Sequence, residues 1–345
     1  MPDLRMPDKK KSVGVIGAGS IVFKSHLPLL RALGADVRWI IDVDKVRAEA
    51  AAGAYDIPLA LGPGHLAQCT PVDVVLVACP WGSRAPYYEF LRENPAAIYV
   101  EKPIARSTSE LDRICAMRPD YALAAGFIRR SFGMTRIVKG LIEDRLFGSL
   151  RRIRSEFGTA TVISAGAGFA KKVSLAGGGQ LFESAIHNVD AVCYAAGIER
   201  ATVRDLRMEA EGEFDLETEA LIELTDAAGR KIDLELLVTC FRSTQYEIEM
   251  EFDQASVSFS LFKKQLPKVR ALNGGRSYQL LDADMADYPR NVFDVLQVFW
   301  TDFLSGLDAR IPNYTSARST AVTASIIEQL YGLGVSPAAS GVLAH

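Results

Sequence analysis

Apolar residues follow two different patterns along the chain. Between Ser12 and residue 128, short continuous apolar runs alternate with segments of helical periodicity. Such runs are typical of strands buried on both faces, as in a parallel sheet covered by helices. Between Thr202 and Leu261, apolar and polar residues alternate with a period of two, which is typical of an antiparallel sheet with one packed face. The pattern predicts an α/β protein with a doubly wound parallel sheet, followed by a second domain with an antiparallel sheet.

The polar positions of the second pattern form an acidic outer face, which is either solvated or a contact between subunits. These positions are Asp233, Glu235, Glu247, Glu249 and Glu251. Two helices, at about residues 291–305 and 316–331, are expected to close this second domain.

One further helix carries a polar stripe on an otherwise apolar surface. After the run Gly177–Gly179, the residues Glu183, His187 and Asp190 are spaced four and then three apart. At about 100° per residue they share one narrow face. Three interpretations stand side by side: contact with water or a polar partner, metal binding by three ligand-type residues, and an acid–base pair in which a carboxylate orients the histidine.

A glycine-rich turn follows the first apolar run. The strand 12–16 leads into this turn and then into a helix, which is the context of a dinucleotide-binding turn. The first glycine permits the turn, the second lets the backbone approach a pyrophosphate, and the helix N-terminus offers N–H groups to that anion. The candidate cofactor-binding residues are Gly17, Gly19, Ser20 and Ile21. Because Val22 replaces the third glycine of the motif, a simple tight turn is the alternative.

Asp42 ends the second apolar strand, 25 residues after Gly17. An acidic residue near this distance accepts hydrogen bonds from the ribose 2′-hydroxyl and repels a 2′-phosphate. The sequence therefore favours NAD over NADP, although Lys45 and Arg47 lie close enough to leave NADP open. Alternatively, Asp42 caps the N-terminus of the helix that follows.

Two other strands end in residues that are expected to face the cofactor, because ligands of doubly wound sheets bind beyond the carboxyl ends of the strands. These residues are Cys79, Pro80, Trp81, Glu101 and Lys102. Trp81 either stacks on the cofactor or packs in the core. Lys102 is either a surface lysine paired with Glu101 or a cation directed into the cofactor crevice, held in an extended conformation by Pro103.

Composition and charge narrow the class of protein. A net charge of −3 over 345 residues argues against nucleic acid or an anionic membrane as the main partner. No apolar run reaches the roughly 20 residues that span a bilayer, and residues 1–11 lack the apolar core of a signal peptide and form a loose tail. Five scattered cysteines without CxxC spacing indicate reduced thiols in the cytoplasm, and with four histidines they argue against a metal centre.

Several motifs, in this order along most of the chain, resemble those of the Gfo/Idh/MocA oxidoreductases, which include glucose–fructose oxidoreductase and inositol dehydrogenase. The matching pieces are Gly17–Ile21, His26-Leu27-Pro28, Asp42, Glu101-Lys102-Pro103, Gly126-Phe127 with Arg130, Gly148, and Gly177–Gly179 with Glu183, His187 and Asp190. Two departures stand out. Glu183 replaces the aspartate of inositol-dehydrogenase-like members, and Trp81 and Arg84 replace an asparagine and a histidine.

The resemblance implies a dinucleotide-binding Rossmann domain of residues 12–128. It also implies a substrate-binding and oligomerisation α+β domain of residues 129–345, built on an open, mostly antiparallel sheet. It implies that substrate binds between them against the nicotinamide, with Lys102 and His187 beside the reacting carbon and Glu183 as their carboxylate neighbour. Many members associate through the open sheet, so a homodimer or homotetramer is expected.

The expected activity is that of an NAD-dependent dehydrogenase or ketoreductase acting on a sugar, cyclitol or sugar derivative. His187, oriented by Glu183, accepts the hydroxyl proton while Lys102 holds the oxygen, or the two exchange these roles. Arg130 and Lys171 or Lys172 are candidates for contacts to the substrate. Two alternatives stay open: a redox-neutral enzyme that cleaves or epimerises glycosides with tightly bound NAD, and a non-catalytic NAD-sensing regulator, which would not need the lysine and histidine.

Overall fold

The computed structural model describes residues 10–160, 173–261, 267–272, 277–279 and 291–334. The chain divides into two compact units. The first comprises Met1–Ala105, Ser109–Ser131 and Asp287–Thr320, and the second comprises Arg106–Thr108, Phe132–Ala286 and Ala321–His345. The segment 287–320 thus returns to the first unit, whereas the boundary expected from the sequence places it in the second domain.

The first unit contains a six-stranded sheet in which every described pair of neighbours is parallel. Its strands are β1 (Ser12–Ile16), β2 (Asp36–Ile41), β3 (Ala60–Leu61), β4 (Val74–Val77), β5 (Ala97–Val100) and β6 (Leu123–Ala125). Between them lie α1 (Leu27–Ala32), α2 (Lys45–Tyr55), α3 (Ala85–Glu93) and α4 (Thr108–Cys115). The strand order β3-β2-β1-β4-β5-β6 reverses direction between β1 and β4, which is the switch point of a doubly wound dinucleotide-binding sheet.

The second unit contains an eight-stranded sheet. Its strands are β7 (Leu150–Gly158), β8 (Ile198–Glu211), β9 (Phe214–Asp226), β10 (Lys231–Thr239), β11 (Glu247–Phe252), β12 (Ala255–Ser260), β13 (Lys268–Ala271) and β14 (Ser277–Gln279). In the order β14-β13-β12-β11-β7-β10-β9-β8, only the pair of β7 and β10 is parallel among the described strands. The predicted fold class is confirmed.

Five α-helices and a π-helical turn lie among the described residues in the later part of the chain, in addition to these strands. They are α5 (Gly133–Glu143), α6 (Val173–Ala176), the π-helical turn Leu181–Ala185 with α7 (Ile186–Ala195), α8 (Val292–Ala309) in the first unit, and α9 (Ala321–Gly334) in the second. The Asn291 side chain caps α8 by accepting a hydrogen bond from the Asp294 N–H at 3.0 Å.

The outer face of the eight-stranded sheet carries both signs of charge, rather than the acidic face expected from the sequence. Arg154 of β7 lies directly opposite Glu235 of β10 and Glu249 of β11. Its guanidinium lies 2.9 Å from one Glu235 oxygen and 3.5 Å from a Glu249 oxygen, and Arg152 also pairs with Glu235. The alternation of β10 predicted its acidic positions correctly, but the arginines that balance Glu235 come from β7. Arg152 and Arg154 precede Glu235 by 83 and 81 residues, and the two strands pair only in the folded sheet.

All five cysteines are free thiols, and Cys115, Cys193 and Cys240 are buried. Within the described ranges, no helix is long and apolar enough to cross a membrane.

A close contact between β1 and β2 depends on a glycine. Gly14 pairs with Trp39, whose indole is fully buried and donates a hydrogen bond to the Thr70 carbonyl at 2.9 Å. A Cβ atom on Gly14 would lie 2.0 Å from the indole ring. The strand therefore accepts no side chain at this position without displacement of Trp39.

Replacement of Gly14 by alanine is expected to lower the free energy of unfolding by about 1–3 kcal/mol through overpacking. Gly53 is the matched control: it lies exposed within α2, and a Cβ atom there meets no atom within 4 Å. Gly53→Ala should raise the stability by roughly 0.5–1 kcal/mol through helix propensity. Chemical denaturation of the two variants measures both effects, and equal stabilities would contradict the assigned contact.

Candidate active site

The residues just after four parallel strands form one continuous edge of the first sheet. Backbone hydrogen bonds of 2.7–2.8 Å join each of these residues to the end of the neighbouring strand. The bonds run from Gly17 N to Ile41 O, from Ala78 N to Ile16 O, from Glu101 N to Val77 O and from Gly126 N to Val100 O. The candidates that the sequence places at strand ends therefore lie side by side in the first unit.

The two glycines of the first turn have different physical roles. Gly17 has a φ of +103°, and a Cβ atom on it would lie 2.8 Å from the Ala78 carbonyl carbon, so the protein itself requires glycine there. A Cβ atom on Gly19 would meet no atom within 4 Å. The open space above Gly19 fits a pyrophosphate that approaches the backbone closely, as the dinucleotide motif requires.

The helix after this turn begins in an unusual form. Residues Val22–His26 form a π-helical turn before α1. Val22, at the position of the missing third glycine, is fully buried. The wider π-helical turn thus accompanies Val22, which is bulkier than the glycine it replaces. Such turns often occur in functional segments.

Asp42 is buried at the end of β2 and is joined to the glycine turn. Its Oδ2 accepts a hydrogen bond from the Ala18 N–H at 2.6 Å and its Oδ1 accepts one from the Asp44 N–H at 2.8 Å. The N-cap of α2 is Asp44, whose side chain accepts from Val46 N–H and Arg47 N–H. The alternative role of Asp42 as the helix cap is therefore wrong, whereas each of its oxygens keeps a second lone pair for a ribose hydroxyl.

The residues after β4 are held by two polar side chains. Trp81 Nε1–H donates to the Glu110 carboxylate at 3.0 Å. The buried Arg84 donates through Nε to the Cys79 carbonyl at 3.0 Å and through Nη1 to the Pro103 carbonyl. Through these hydrogen bonds, Arg84 connects the segment after β4 to the segment after β5. Burial raises the pKa of Cys79, so this cysteine is a thiol at neutral pH.

Glu101 accepts hydrogen bonds from three sides. His26 Nε2 lies 2.9 Å from Oε1, Tyr99 O–H donates to the same oxygen at 2.9 Å, and the Lys102 N–H donates to Oε2 at 3.2 Å. Desolvation by burial is outweighed by these hydrogen bonds and by nearby positive charge, which together lower the pKa of Glu101. A Cβ atom on Gly126 would lie 2.8 Å from Lys102 N, so glycine is required beside this pair. The Lys102–Pro103 peptide bond is cis.

In the second unit, an aspartate from β9 caps the segment that carries Glu183 and His187. Asp215 is fully buried and accepts hydrogen bonds from Gly179 N–H and Leu181 N–H, each at 2.7 Å, and from Tyr331 O–H. A Cβ atom on Gly178 would lie 2.2 Å from the Tyr331 hydroxyl, and one on Gly179 would lie 2.4 Å from the Asp215 carbonyl oxygen. Both positions therefore require glycine, because the turn that Asp215 holds leaves no room for a side chain. Desolvation raises the pKa of Asp215.

The polar stripe does not lie on a regular α-helix throughout. Residues 181–185 form a π-helical turn, and α7 begins at Ile186. Glu183 and His187 are half-buried. Asp190 is buried and accepts a hydrogen bond from Thr323 Oγ1 of α9 at 3.0 Å, which supports its mainly structural role. Among the described residues, no group of three or more histidines, cysteines or carboxylates could hold a metal ion.

Arg130 is buried, although the sequence suggested it as a substrate contact. Its guanidinium donates to the Tyr314 carbonyl at 2.9 Å, to Ser319 Oγ at 2.6 Å and to the Ser319 carbonyl at 3.2 Å. These contacts give Arg130 a structural role within the first unit. The other candidates, Lys171 and Lys172, lie outside the described residues.

Four residues that hold Glu101 or the glycine run in place could not be identified as such from the sequence. They are His26, Asp215, Trp300 and Tyr331. His26 lies in one of the motifs that carry the family resemblance, but nothing in the sequence connects Trp300 to it, or Asp215 to the glycine run, because these partners lie tens to hundreds of residues apart.

Comparisons with known proteins agree with the dinucleotide-binding fold of the first sheet. Residues 11–122 match the model of the Gfo/Idh/MocA oxidoreductase family, described as having an NAD-binding Rossmann fold. Inositol 2-dehydrogenase 4 of Saccharopolyspora erythraea is 24% identical over 243 residues, which cover 68% of this chain and 69% of that protein. The match confirms the resemblance that the motifs indicate.

Solved structures share the fold. A 3-ketoreductase from Actinomadura kijaniata, solved with NADP and TDP-benzene, has a TM-score of 0.76 at 18% identity over 94% of this chain and 98% of that one. Levoglucosan dehydrogenase, solved with NADH and levoglucosan, has a TM-score of 0.78 at 18% identity over 94% and 97% of the two chains.

Replacement of Gly19 by alanine should leave the fold intact and weaken NAD binding at least tenfold, or by about 1.4 kcal/mol, because the added methyl group occupies only the space left for the pyrophosphate. Gly64→Ala is the control, since a Cβ atom there also meets no atom within 4 Å. Titration of each variant with NAD, together with thermal unfolding, measures both properties. A Gly19→Ala variant that binds NAD like the wild type would exclude this turn as the pyrophosphate site.

Proposed function

Because residues 11–122 match the Gfo/Idh/MocA oxidoreductase family with its NAD-binding Rossmann fold, we propose that the protein transfers a hydride between nicotinamide and a secondary alcohol or ketone carbon of a sugar, cyclitol or sugar derivative. The observation that carries the proposal is the position of Lys102. It follows a fixed carboxylate at the sheet edge where Gly19 leaves room for the cofactor. The substrate class rests on relatives named for inositol, levoglucosan and a ketoreductase reaction.

Residues of the first unit would hold the cofactor. The glycine turn with Ser20 and Ile21 would bind the pyrophosphate, and Asp42 would accept hydrogen bonds from the ribose. Cys79, Pro80, Trp81 and Glu101 would line the remainder of the edge. NAD is favoured over NADP because the Asp42 carboxylate repels a 2′-phosphate. When bound, nicotinamide takes up or supplies the hydride.

We assign the proton chemistry to Lys102 and His187. In alcohol oxidation, His187 accepts the hydroxyl proton while the Lys102 ammonium group donates a hydrogen bond to the same oxygen. In ketone reduction, Lys102 polarises the carbonyl oxygen and His187 returns the proton. Glu183, one methylene longer than the aspartate of related enzymes, orients His187.

Replacement of Lys102 or His187 by alanine should lower kcat by about 10²–10⁴-fold, the usual contribution of a general acid or base, with NADH affinity within a few-fold of wild type. Lys139→Ala and His65→Ala are matched controls, since Lys139 pairs with Glu143 in α5 and His65 lies on the exposed turn 63–68. The assay follows nicotinamide absorbance with a panel of sugars, inositols and their keto forms.

Unchanged turnover in both alanine variants would contradict the acid–base assignment. Turnover without added NAD would instead select the redox-neutral reaction with tightly bound NAD. Absence of turnover with every member of the panel, in a protein that binds NAD, would favour the regulator.

We also propose that the protein forms a homodimer or homotetramer through the exposed face of the eight-stranded sheet. This face carries Arg154 between two glutamates on neighbouring strands, and beside it lies a polar groove of about 720 Å³. The groove is lined by β7, β11, β12 and β13, with Glu156, Glu247, Lys268 and Arg270 among its residues. Rows of both charges can meet the same face of a second copy about a twofold axis.

Light scattering should therefore give the mass of two or four chains for the wild type. Arg154→Glu should dissociate the assembly, because it places three carboxylates side by side on adjacent strands. Arg92→Glu, on the exposed surface of α3 in the first unit, should leave the mass unchanged. A monomeric wild type would refute the proposal.

A further inference from the structure

His26 lies at the centre of a buried contact between three parts of the first unit. It ends the π-helical turn after the glycine loop and is fully buried. Its Nε2 lies 2.9 Å from Glu101 Oε1, beyond β5, and its Nδ1 lies 3.0 Å from Trp300 Nε1 of α8. Both ring nitrogens are therefore engaged, each by a group from a different part of the chain.

The indole of Trp300 determines which nitrogen of His26 carries the proton. An indole N–H can donate a hydrogen bond but cannot accept one. His26 Nδ1 must therefore be the acceptor, so the proton of the neutral ring is on Nε2 and is directed at Glu101. The donor and acceptor roles follow from the chemistry of the partners, since a histidine between a donor-only and an acceptor-only group has a single neutral arrangement.

The same chain of hydrogen bonds reaches the main chain of Lys102. Glu101 Oε1 receives His26 Nε2–H and Tyr99 O–H, which leaves Oε2 to accept the Lys102 N–H at 3.2 Å. The Tyr99 ring also packs against Trp300, with centroids 5.2 Å apart. Rotation of the Glu101 carboxylate would break all three hydrogen bonds, so its orientation and that of the following peptide are coupled.

We propose that Trp300 and His26 are positioning residues for the reaction: Trp300 fixes the tautomer of His26, His26 fixes the Glu101 carboxylate, and Glu101 holds Lys102 in place at the cofactor edge. The tautomer rests on the geometry of the first unit alone. Only the consequence for turnover rests on the proposed function, which assigns Lys102 to catalysis.

The tautomer is tested directly by nuclear magnetic resonance of the full-length protein labelled with ¹⁵N-histidine. The chain has four histidines, and His26→Gln identifies the signals of His26. We expect an unprotonated Nδ1 and a protonated Nε2 for His26 in the wild type. Trp300→Phe removes the indole N–H and should shift these signals toward a mixture of tautomers. A protonated Nδ1 in the wild type, or unchanged His26 signals in Trp300→Phe, would overturn the inference.

Trp39→Phe is the matched control for the spectra. Trp39 is also fully buried in the first unit and also donates one indole hydrogen bond, to the Thr70 carbonyl. Its removal should leave the His26 signals unchanged. A shift as large as that of Trp300→Phe would mean that any lost core hydrogen bond perturbs His26, which would overturn the specific role of Trp300.

The consequence for turnover is tested by comparing His26→Gln with His26→Leu. Glutamine can place an N–H donor close to Glu101, whereas leucine of similar size cannot. We expect His26→Leu to lower kcat at least tenfold with the KM for NAD within a few-fold, and His26→Gln to recover most of that loss. Equal kcat in the two variants would contradict the positioning role, and if His26→Leu fails to fold, the same comparison is made between Trp300→Phe and Trp39→Phe.

Failure of the proposed function has a different signature. If Lys102→Ala turns over normally, the assignment of Lys102 to catalysis is wrong, but the spectra of His26 still decide the tautomer. If instead Lys102→Ala is inactive and the spectra show a protonated Nδ1, the positioning chain is wrong while the proposed function stands.

Discussion

A carboxylate largely removed from water at the end of a parallel strand needs donors on several sides, and Glu101 has them. Burial of an unpaired carboxylate costs several kcal/mol, whereas each hydrogen bond to a charged group contributes about 1.5–3 kcal/mol. The three donors of Glu101 together offset that cost. Because one of them is the Lys102 N–H, the ionised state of Glu101 and the conformation of the following lysine are maintained by the same contacts.

A similar set of hydrogen bonds surrounds a carboxylate in the second unit, but there the carboxylate's pKa is shifted in the opposite direction. Asp215 also accepts three hydrogen bonds, from two backbone N–H groups and from Tyr331. Its pKa is nevertheless raised, because desolvation outweighs these donors, whereas the pKa of Glu101 is lowered by its donors and by positive charge nearby. In the second unit Asp215 itself connects a glycine-dependent turn to a distant helix through Tyr331, whereas in the first unit His26 connects Glu101 to α8. In both units the helix after the glycine turn begins with a π-helical segment.

The sequence predicted the features that depend on residues close to one another in the chain. Continuous apolar runs gave the parallel strands, and period-two alternation gave the strands of the second sheet. Spacing identified the edge residues Gly17, Asp42 and Glu101, because each lies where an apolar run stops. The sequence could not separate the two glycines of the first turn. Gly17 is required by the backbone of Ala78, whereas a Cβ atom on Gly19 would meet none of the described residues within 4 Å. Only the folded structure distinguishes these cases.

The pattern of apolar and polar residues could not predict contacts between distant segments of the chain. A helical projection at 100° per residue placed Asp190 with Glu183 and His187, but Glu183 lies in a π-helical turn that precedes the regular helix of the other two residues. Asp190 accepts a hydrogen bond from Thr323 of α9, which the pattern could not predict. Arg130 matched a family motif in sequence, yet it bonds to residues of the segment 314–319. The acidic residues of β10 and β11 looked like an acidic face because the arginines that balance Glu235 and Glu249 belong to β7.

The first unit depends on α8, which comes from a late segment of the chain, far from the other helices of that unit. Trp300 and His26 are separated by 274 residues, and α8 joins the first unit after the chain has completed most of the second. A fragment that ended near residue 128 would retain all six strands and the glycine turn. It would lack the indole that fixes His26, and both tautomers of that histidine would then compete, only one of which donates to Glu101. The cofactor edge is therefore complete only when a late segment of the chain packs against an early one, and the order of the strands alone does not specify it.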